Sequence, residues 1–287
     1  MTDGGWRWDP SLYAGSAAYY ATGRVPYPVE LADLLAAELA LDGRGELLDV
    51  GCGPGSLTLL LAPRFEHATG LDPDAGMLAE GRRRAFAAGV HNITWVQARA
   101  EELPGELGPV RVVTLAQSFH WMDRERVAGL LHAVLEPEGA LVHVHATTHR
   151  GLEGDAGAGA RLHRPRPPWE EIDALVRTFL GERRRAGQGV LPAVSAGADE
   201  TGRAETEVYA RAGFVSPTRI TVPGAVVTRS ADDVVASVFS LSSAAPHLFG
   251  DRMPQFEREL RAVLHDAGPD GWFSEQMREV AVDVWRT

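Results

Sequence analysis

The chain has 287 residues, 45% hydrophobic and 23% charged, which suits one large globular core and excludes disorder as the default. A formal charge of -11, with no long run of positive side chains, argues against a nucleic-acid partner and for a small molecule. The single cysteine, Cys52, excludes an intrachain disulfide; with no basic leader and no apolar run near the roughly 18 residues of a membrane span, a cytoplasmic protein without membrane contact is expected.

First comes an arm rich in aromatic residues (Trp6, Trp8, Tyr13, Tyr19, Tyr20), which suits either a lid over an apolar ligand or plain packing. LADLLAAELA (31–40) puts Leu31, Leu34, Leu35 and Leu39 on one helical face behind Pro28. LLDVG (47–51) reads as a short buried strand, and SLTLLLAPRF as a helix opened by Ser56 and stopped near Pro63. HATGLD is a second strand ending at Asp72, and the next helix has Asp74 as N-cap and Gly89 as stop. Strands ITWVQA and RVVTLAQS follow, then helix DRERVAGLLHAVLEPEG with Val127, Leu130, Leu131 and Val134 on one face, then strand ALVHVHA. Such alternation predicts an α/β protein with a doubly wound, mostly parallel sheet covered on both faces.

After Arg150 the alternation fades. GLEGDAGAGA (151–160) reads as a mobile glycine-rich stretch, and RLHRPRPPWEE as irregular at its start. A helix is expected in EIDALVRTFLGERRR, strands in FVSPTRITV and VVTR, helices in DDVVASVFSLSS and PQFERELRAVLHDAG, and a last strand in REVAVDVWR.

The most specific signal is the turn after the first strand, where Gly51, Gly53 and Gly55 fall within GCGPG. Glycines there let a ligand approach the main chain, toward which the N–H groups of the helix start point. The dinucleotide fingerprint G-x-G-x-x-G wants glycine where Ser56 stands, which argues against a pyrophosphate-bridged cofactor. Asp72, at the end of the second strand, is placed to accept hydrogen bonds from both hydroxyls of a ribose. Asp49 adds a carboxylate near the same crevice or braces the loop backbone, and Cys52 is a small buried filler, not a nucleophile.

LDVGCGPG followed by LDPD resembles the class I S-adenosylmethionine-dependent methyltransferases, and the likeness continues in order from about Tyr19 to Val144. YYATGRVPYP resembles the family's N-terminal segment, in which an arginine, here Arg24, meets the cofactor carboxylate. VQARAEELP resembles the motif lining the adenine, AQSFHWMD the strand end below the methyl group, and LEPEGALVHVH the turn into the fifth strand. The resemblance implies a seven-stranded Rossmann-like sheet, S-adenosylmethionine as cofactor and S-adenosylhomocysteine as product. It also implies a cofactor site of Arg24, Asp49, Gly51, Cys52, Gly53, Gly55, Asp72, Pro73, Ala100, Glu101 and Gln117. Arg99 stands where the family often carries an acid for the adenine amino group, which shifts that contact to the backbone around Ala100 or to Glu101. The chain is then one methyltransferase domain over 1–287, monomer or homodimer, with an arm or lid over 1–25 and an insertion or cap over 147–200.

Transfer of an activated methyl group depends chiefly on holding the acceptor in place, worth about 7–11 kcal/mol, and for oxygen or nitrogen acceptors also on a base. His120 and Trp121 follow the fourth strand, where the ligand crevice of such sheets lies, and His120 is the expected base. His143 and His145, two apart on a strand, share a face, with His149 beyond. An H-x-H pair can hold a metal, but no cysteine accompanies it and its neighbours are apolar. No metal is therefore assigned, and both histidines are placed in the acceptor site with Tyr19, Tyr20, Trp121 and Trp169. Glu170 is a second candidate base, or with Glu171 a first-turn acid facing the helix dipole. Arg150, Arg161, Arg164, Arg166 and the run Arg183, Arg184 and Arg185 either hold an anionic acceptor or form a solvated loop. The readings left open are methylation of a small molecule in bacterial specialised metabolism; carbon methylation of a prenyl diphosphate with a divalent ion and Glu170 as base; an NAD-dependent oxidoreductase; and a non-catalytic protein that senses the cofactor.

Overall fold

Five apolar runs become the parallel half of one sheet: β1 (Glu46–Val50), β2 (His67–Asp72), β3 (Ile93–Gln97), β4 (Val110–Ala116) and β5 (Leu135–His145). The structure, a computed structural model, describes residues 9–103, 105, 107–152, 162–186, 189–191 and 198–287, with backbone alone at 185–186, 189–191, 198–204 and 216. Trp6, Trp8, Arg161 and most of the glycine-rich stretch at 151–160 lie outside the described residues.

Helices α1 (Ala17–Gly23), α2 (Val29–Glu38), α3 (Ser56–Leu61), α4 (Ala75–Ala88) and α5 (Arg124–Val134) precede or link these strands. Then come α6 (Trp169–Leu180), the hairpin of β6 (Arg184–Ala186) and β7 (Gly189–Leu191), α7 (Ala198–Ala212), β8 (Val215–Val222), β9 (Val226–Ser230) and α8 (Ala231–Phe239). The chain closes with α9 (Pro246–Phe249), α10 (Met253–Ala267), β10 (Trp272–Gln276) and β11 (Val280–Arg286). The main sheet has seven strands in the order β3-β2-β1-β4-β5-β11-β8, with β11 antiparallel to both neighbours. Strand order reverses between β1 and β4, and the carboxyl ends of strands at such a switch point frame a ligand crevice.

Neighbouring residues of a strand face opposite layers, so Leu47 and Leu48 enter different cores. On one side Leu31 and Leu35 of α2 and Leu57 and Leu61 of α3 cover Leu47, Val142 and Val282. On the other, Val127 and Leu131 of α5 and Tyr209 of α7 cover Leu48, Val113, Leu141 and Trp285. A third cluster stands apart: Ile172 and Val176 of α6, Val234 and Phe239 of α8, Phe249, Phe256 and Leu260, and Phe273 of β10. Among the described residues, no helix is long and apolar enough to cross a membrane.

Several elements end or begin differently from the sequence expectation. The α6 helix starts at Trp169 and stops at Leu180, where Gly181 takes a φ of 82°, and Arg184 and Arg185, expected in that helix, open β6 instead. The α5 helix stops at Val134, not Gly139, because Pro137 cannot continue it; Leu135 already pairs with Val110, and Glu138 takes a φ of 68°. Part of the aromatic arm is helical: α1 lies against α8, with Ser16 Oγ donating to Phe239 O at 2.8 Å and no room for a Cβ at Gly23, 2.4 Å from Ala236 carbonyl atoms.

A buried ion pair fastens the third cluster to the main sheet. Arg229 of β9 donates to Glu275 of β10 at 3.1 Å, and their side chains are 5% and 3% exposed. Arg229 also donates to the carbonyls of His149 (2.9 Å), Gly23 (2.8 Å) and Asp233 (3.0 Å). Glu275 accepts from Gly151 N at 2.7 Å and Trp169 Nε1 at 2.9 Å. Glu275→Ala leaves a buried guanidinium without its counter-charge and should cost about 3–5 kcal/mol in urea unfolding. Loss of the exposed Arg211–Glu125 pair by Arg211→Ala should cost at most about 1 kcal/mol in the same measurement.

Candidate active site

The three glycines of the first turn all have left-handed backbone, with φ of 68° at Gly51, 54° at Gly53 and 75° at Gly55. Their surroundings differ. A Cβ at Gly51 would lie 2.4 Å from Ser118 Cβ, and one at Gly55 2.4 Å from Trp95 Cη2, whereas one at Gly53 meets nothing within 4 Å. The open crevice is therefore at Gly53, and the other two glycines admit the protein's own side chains. Trp95 fills a slot that also needs Gly70 and Gly81, where a Cβ would lie 2.9 and 2.7 Å from its ring. The loop is pinned by Gly51 N and Cys52 N donating to Leu71 O (2.8 and 3.1 Å) and by Arg84 Nη1 donating to Pro54 O at 2.9 Å.

Asp72 holds the same loop from the β2 side. Its Oδ2 accepts from Gly53 N at 2.8 Å and its Oδ1 from Asp74 N at 2.9 Å. Burial pushes its pKa up to about 6 against those two bonds, with Asp74 and Asp49 adding repulsion. Asp49 is deeper: Oδ2 accepts from Thr58 Oγ1 at 2.5 Å and Oδ1 from Thr114 Oγ1 at 2.7 Å, so it ties β1 to α3 and β4, and burial raises its pKa. The loop backbone expected as its partner is held by Asp72 instead. Thr58 and Thr114 went unread, although each is a hydroxyl set among apolar residues, which is the signal of a buried polar partner.

Of the residues expected at the site, the crevice brings together Tyr20, Arg24, Asp49, Gly51, Cys52, Gly53, Asp72, Pro73, Ala100, Glu101, Gln117 and Trp121. Tyr27, Met77, Ser118 and Thr148 join them, as do Tyr13 and Arg99. Arg24 is aimed by Ser240, to whose Oγ its Nε donates at 2.8 Å, and lies 4.8 Å over the ring of Tyr20. Glu101 has both oxygens engaged: Oε1 accepts from Asp123 N at 2.8 Å and Oε2 is 3.3 Å from Arg99 Nη2. Gln117, at the end of β4, takes a φ of 57°, and Ser118 Oγ donates to Val50 O at 2.7 Å.

Other expected residues lie elsewhere. The 3-10 turn Phe119–Trp121 separates successive side chains by about a third of a turn. Phe119 goes inward, Trp121 to the crevice and His120 to the exposed side, 5.2 Å from the Trp121 ring. Gly55 faces Trp95, and Tyr19 packs on Phe239 with ring centroids 5.0 Å apart. Glu170 is exposed at the start of α6 and lines no cavity described here. His143 and His145 lie below the crevice, the first 3.1 Å from the Tyr209 hydroxyl and the second 3.1 Å from Asp283 Oδ2.

A second cavity adjoins the first. It encloses about 1080 Å³ to its open mouth, against about 990 Å³ for the crevice. His149, Arg150, Trp169, Asp173, Arg177, Glu182 and Arg184 line it, with Leu241. The two meet along the chain: Thr148 lines the crevice and His149 the cavity, and Ser240, which holds Arg24, precedes Leu241. Arg184 Nε is buried beside it and has no hydrogen-bond partner among the described residues. Burial, then the charges of Arg24, Arg150 and Arg229, push the His149 pKa down to about 3.

The switch-point crevice, the glycine turn and Asp72 together define a Rossmann-like protein that binds a nucleoside-type cofactor. Residues 47–139 match the family described as a methyltransferase domain. An uncharacterised methyltransferase of Mycobacterium tuberculosis (strain ATCC 25618 / H37Rv) is 35% identical over 179 residues, 62% of this chain and 70% of that protein. A trans-aconitate 2-methyltransferase of Streptomyces coelicolor is 31% identical over 190 residues, 48% of this chain and 60% of that protein. Among solved structures, the cyclase SpnF shares the fold with a TM-score of 0.51 and 18% identity, over 96% of this chain and 93% of that one. The chain belongs to the S-adenosylmethionine-dependent methyltransferases, and it is an enzyme of methyl transfer. This membership sets aside the nicotinamide-dependent and non-catalytic readings.

Alanine at Gly53 should cost only left-handed strain, about 1–2 kcal/mol. Alanine at Gly51 or Gly55 should add about 1–3 kcal/mol of overpacking, so thermal unfolding should rank both below Gly53→Ala.

Proposed function

We propose that the protein methylates a carboxylate oxygen of a small organic acid held in the second cavity, with the cofactor in the crevice at Gly53. The observation that carries this reading is the lining of that cavity, which presents Arg150, Arg177 and Arg184 together with His149. Three arginines against Asp173 and Glu182 leave the lining positive. An acid's carboxylate is the counter-charge that such a lining favours. The similarity to a trans-aconitate methyltransferase supports the same class of acceptor.

In the crevice the residues fit S-adenosylmethionine. Asp72 has one N–H on each oxygen and keeps lone pairs for the ribose hydroxyls. Arg24, oriented by Ser240, suits the methionine carboxylate. Glu101 is taken up by Asp123 and Arg99, so adenine recognition falls to the main chain near Ala100, with Pro73 and Met77 as apolar walls. When bound, the cofactor supplies a sulfonium methyl group that an acceptor oxygen takes by in-line displacement, leaving S-adenosylhomocysteine.

A carboxylate is already deprotonated near neutral pH, so it needs no base. Burial pushes the Tyr13 and Tyr27 phenols up, which keeps them protonated, and the expected bases His120 and Glu170 line neither cavity. Glu170 is therefore not placed to serve a prenyl diphosphate as base. Residues 162–186 and the third hydrophobic cluster would cap the acceptor, with the N-terminal arm closing over the crevice.

Two outcomes follow. The ribose hydroxyls donate, so ionised Asp72 is the binding form. With its pKa near 6, affinity for S-adenosylhomocysteine in calorimetry should hold above pH 7 and fall about tenfold per unit below pH 6. Asp72→Asn should abolish that dependence. With mono-, di- and tricarboxylic acids, trans-aconitate included, turnover should give a base-labile methyl ester. Arg184→Gln should raise KM for the acid at least about tenfold, the ~1.5–3 kcal/mol of one charged hydrogen bond, and leave cofactor affinity unchanged. Methylation of a phenol or alcohol, and of no acid, would overturn the reading.

A further inference from the structure

Behind the crevice, on the face of β5 that looks toward α7, lies a cluster the methyl transfer does not use. His143 and His145 project side by side from β5, with ring centroids 4.2 Å apart. Glu205 of α7 reaches them across the layer, its Oε2 3.9 Å from His143 Nδ1. One donor atom from each of the three lies within 4.8 Å of the other two. His143 and Glu205 are 5% and 9% exposed, while the His145 side chain is 35% exposed and gives the cluster an edge open to solvent.

We propose that His143, His145 and Glu205 form a site for a divalent transition-metal ion, zinc being the ion this donor set fits. Two imidazoles and one carboxylate are a recurrent zinc set that leaves a fourth position for water, here on the open side at His145. Bonds of about 2.0–2.2 Å put tetrahedral ligands roughly 3.4 Å apart, so closure asks each donor to move inward by about 1 Å. The surroundings already have the form of an outer shell. Asp283 of β11 holds His145 Nε2 at 3.1 Å, the carboxylate–histidine arrangement that fixes a metal-binding ring. Arg219 in turn clamps Asp283 with two bonds of 2.7 and 2.6 Å. The Tyr209 hydroxyl, 3.1 Å from His143 Nδ1, is the one described group that contests that lone pair.

A bound ion would tie β5 to α7 directly beneath Phe119, whose ring stacks on Tyr209 at 4.9 Å and meets His143 edge-on at 5.7 Å. Trp121 at the crevice rim belongs to the same turn as Phe119. The site is thus a structural clip for the rim and needs no part in the transfer itself.

The test uses the full chain without an affinity tag, stripped with chelator and titrated with zinc and then with cobalt as a coloured probe. One equivalent of zinc per chain is expected, with cobalt giving the ligand-field absorption of a four- or five-coordinate site and zinc raising the unfolding midpoint. His145→Ala and the near-isosteric Glu205→Gln should each weaken binding at least about 100-fold, and Asp283→Asn about 10–100-fold through the orientation of His145. Tyr209→Phe, which removes the competitor, should bind zinc at least as tightly as the parent. Circular dichroism of each variant separates lost binding from lost fold. The proposal fails if the parent takes up no stoichiometric zinc, or if folded His145→Ala and Glu205→Gln proteins bind it as the parent does.

Discussion

The Arg229–Glu275 pair is the interaction on which the arrangement of both cavities depends. One guanidinium gathers the end of α1, the chain after β5 and the first turn of α8, and its partner carboxylate gathers Gly151 and Trp169. Removing two charges from water carries a penalty that only close pairing and hydrogen bonding offset, and here four N–H directions of the guanidinium and both carboxylate oxygens are used. A less complete network would leave the third cluster free to shift against the sheet. The cavity beside the crevice is tied to the same knot, since His149 is both a carbonyl acceptor for Arg229 and a lining residue.

The inner sheet was legible because its physics is local. An apolar run bounded by glycines becomes a buried strand whichever neighbours it finds, and Asp74 and Gly89 cap α4 as their spacing implies, the first accepting from Met77 N at 2.9 Å and the second at a φ of 67°. Asp72 was legible for the same reason: it is the acid at a strand end after a glycine turn. The failures are pairings across long stretches of chain. Asp49 finds Thr58 and Thr114, and His143 finds Tyr209 and Glu205, contacts that no window of neighbouring residues contains. Helix α7 escaped because few of its side chains are apolar, Val208 and Tyr209 being its described buried ones besides Glu205. His120 and Trp121 were read as a pair, but a 3-10 turn aims consecutive side chains differently, and only Trp121 lines the crevice.

The glycine loop joins two demands that a motif merges into one. Gly53 is open toward the crevice, whereas Gly51 and Gly55 face Ser118 and Trp95. A ligand-binding fingerprint is thus partly a record of protein packing around the loop. The likeness to SpnF is one of fold alone, so within methyl transfer the acceptor side must decide the substrate.

The slot around Trp95 has an evolutionary consequence. Its indole occupies the space that side chains at Gly70 and Gly81 would fill, and neither of those glycines has the left-handed backbone of Gly55. The indole is the nearest obstacle at both, with Cys52 Sγ 3.1 Å from a Cβ at 70 as a second one. Positions 70, 81 and 95 should therefore vary as one unit: across relatives, a smaller residue at 95 is the condition under which alanine or larger enters at 70 and 81, while 55 stays glycine for the sake of its own backbone.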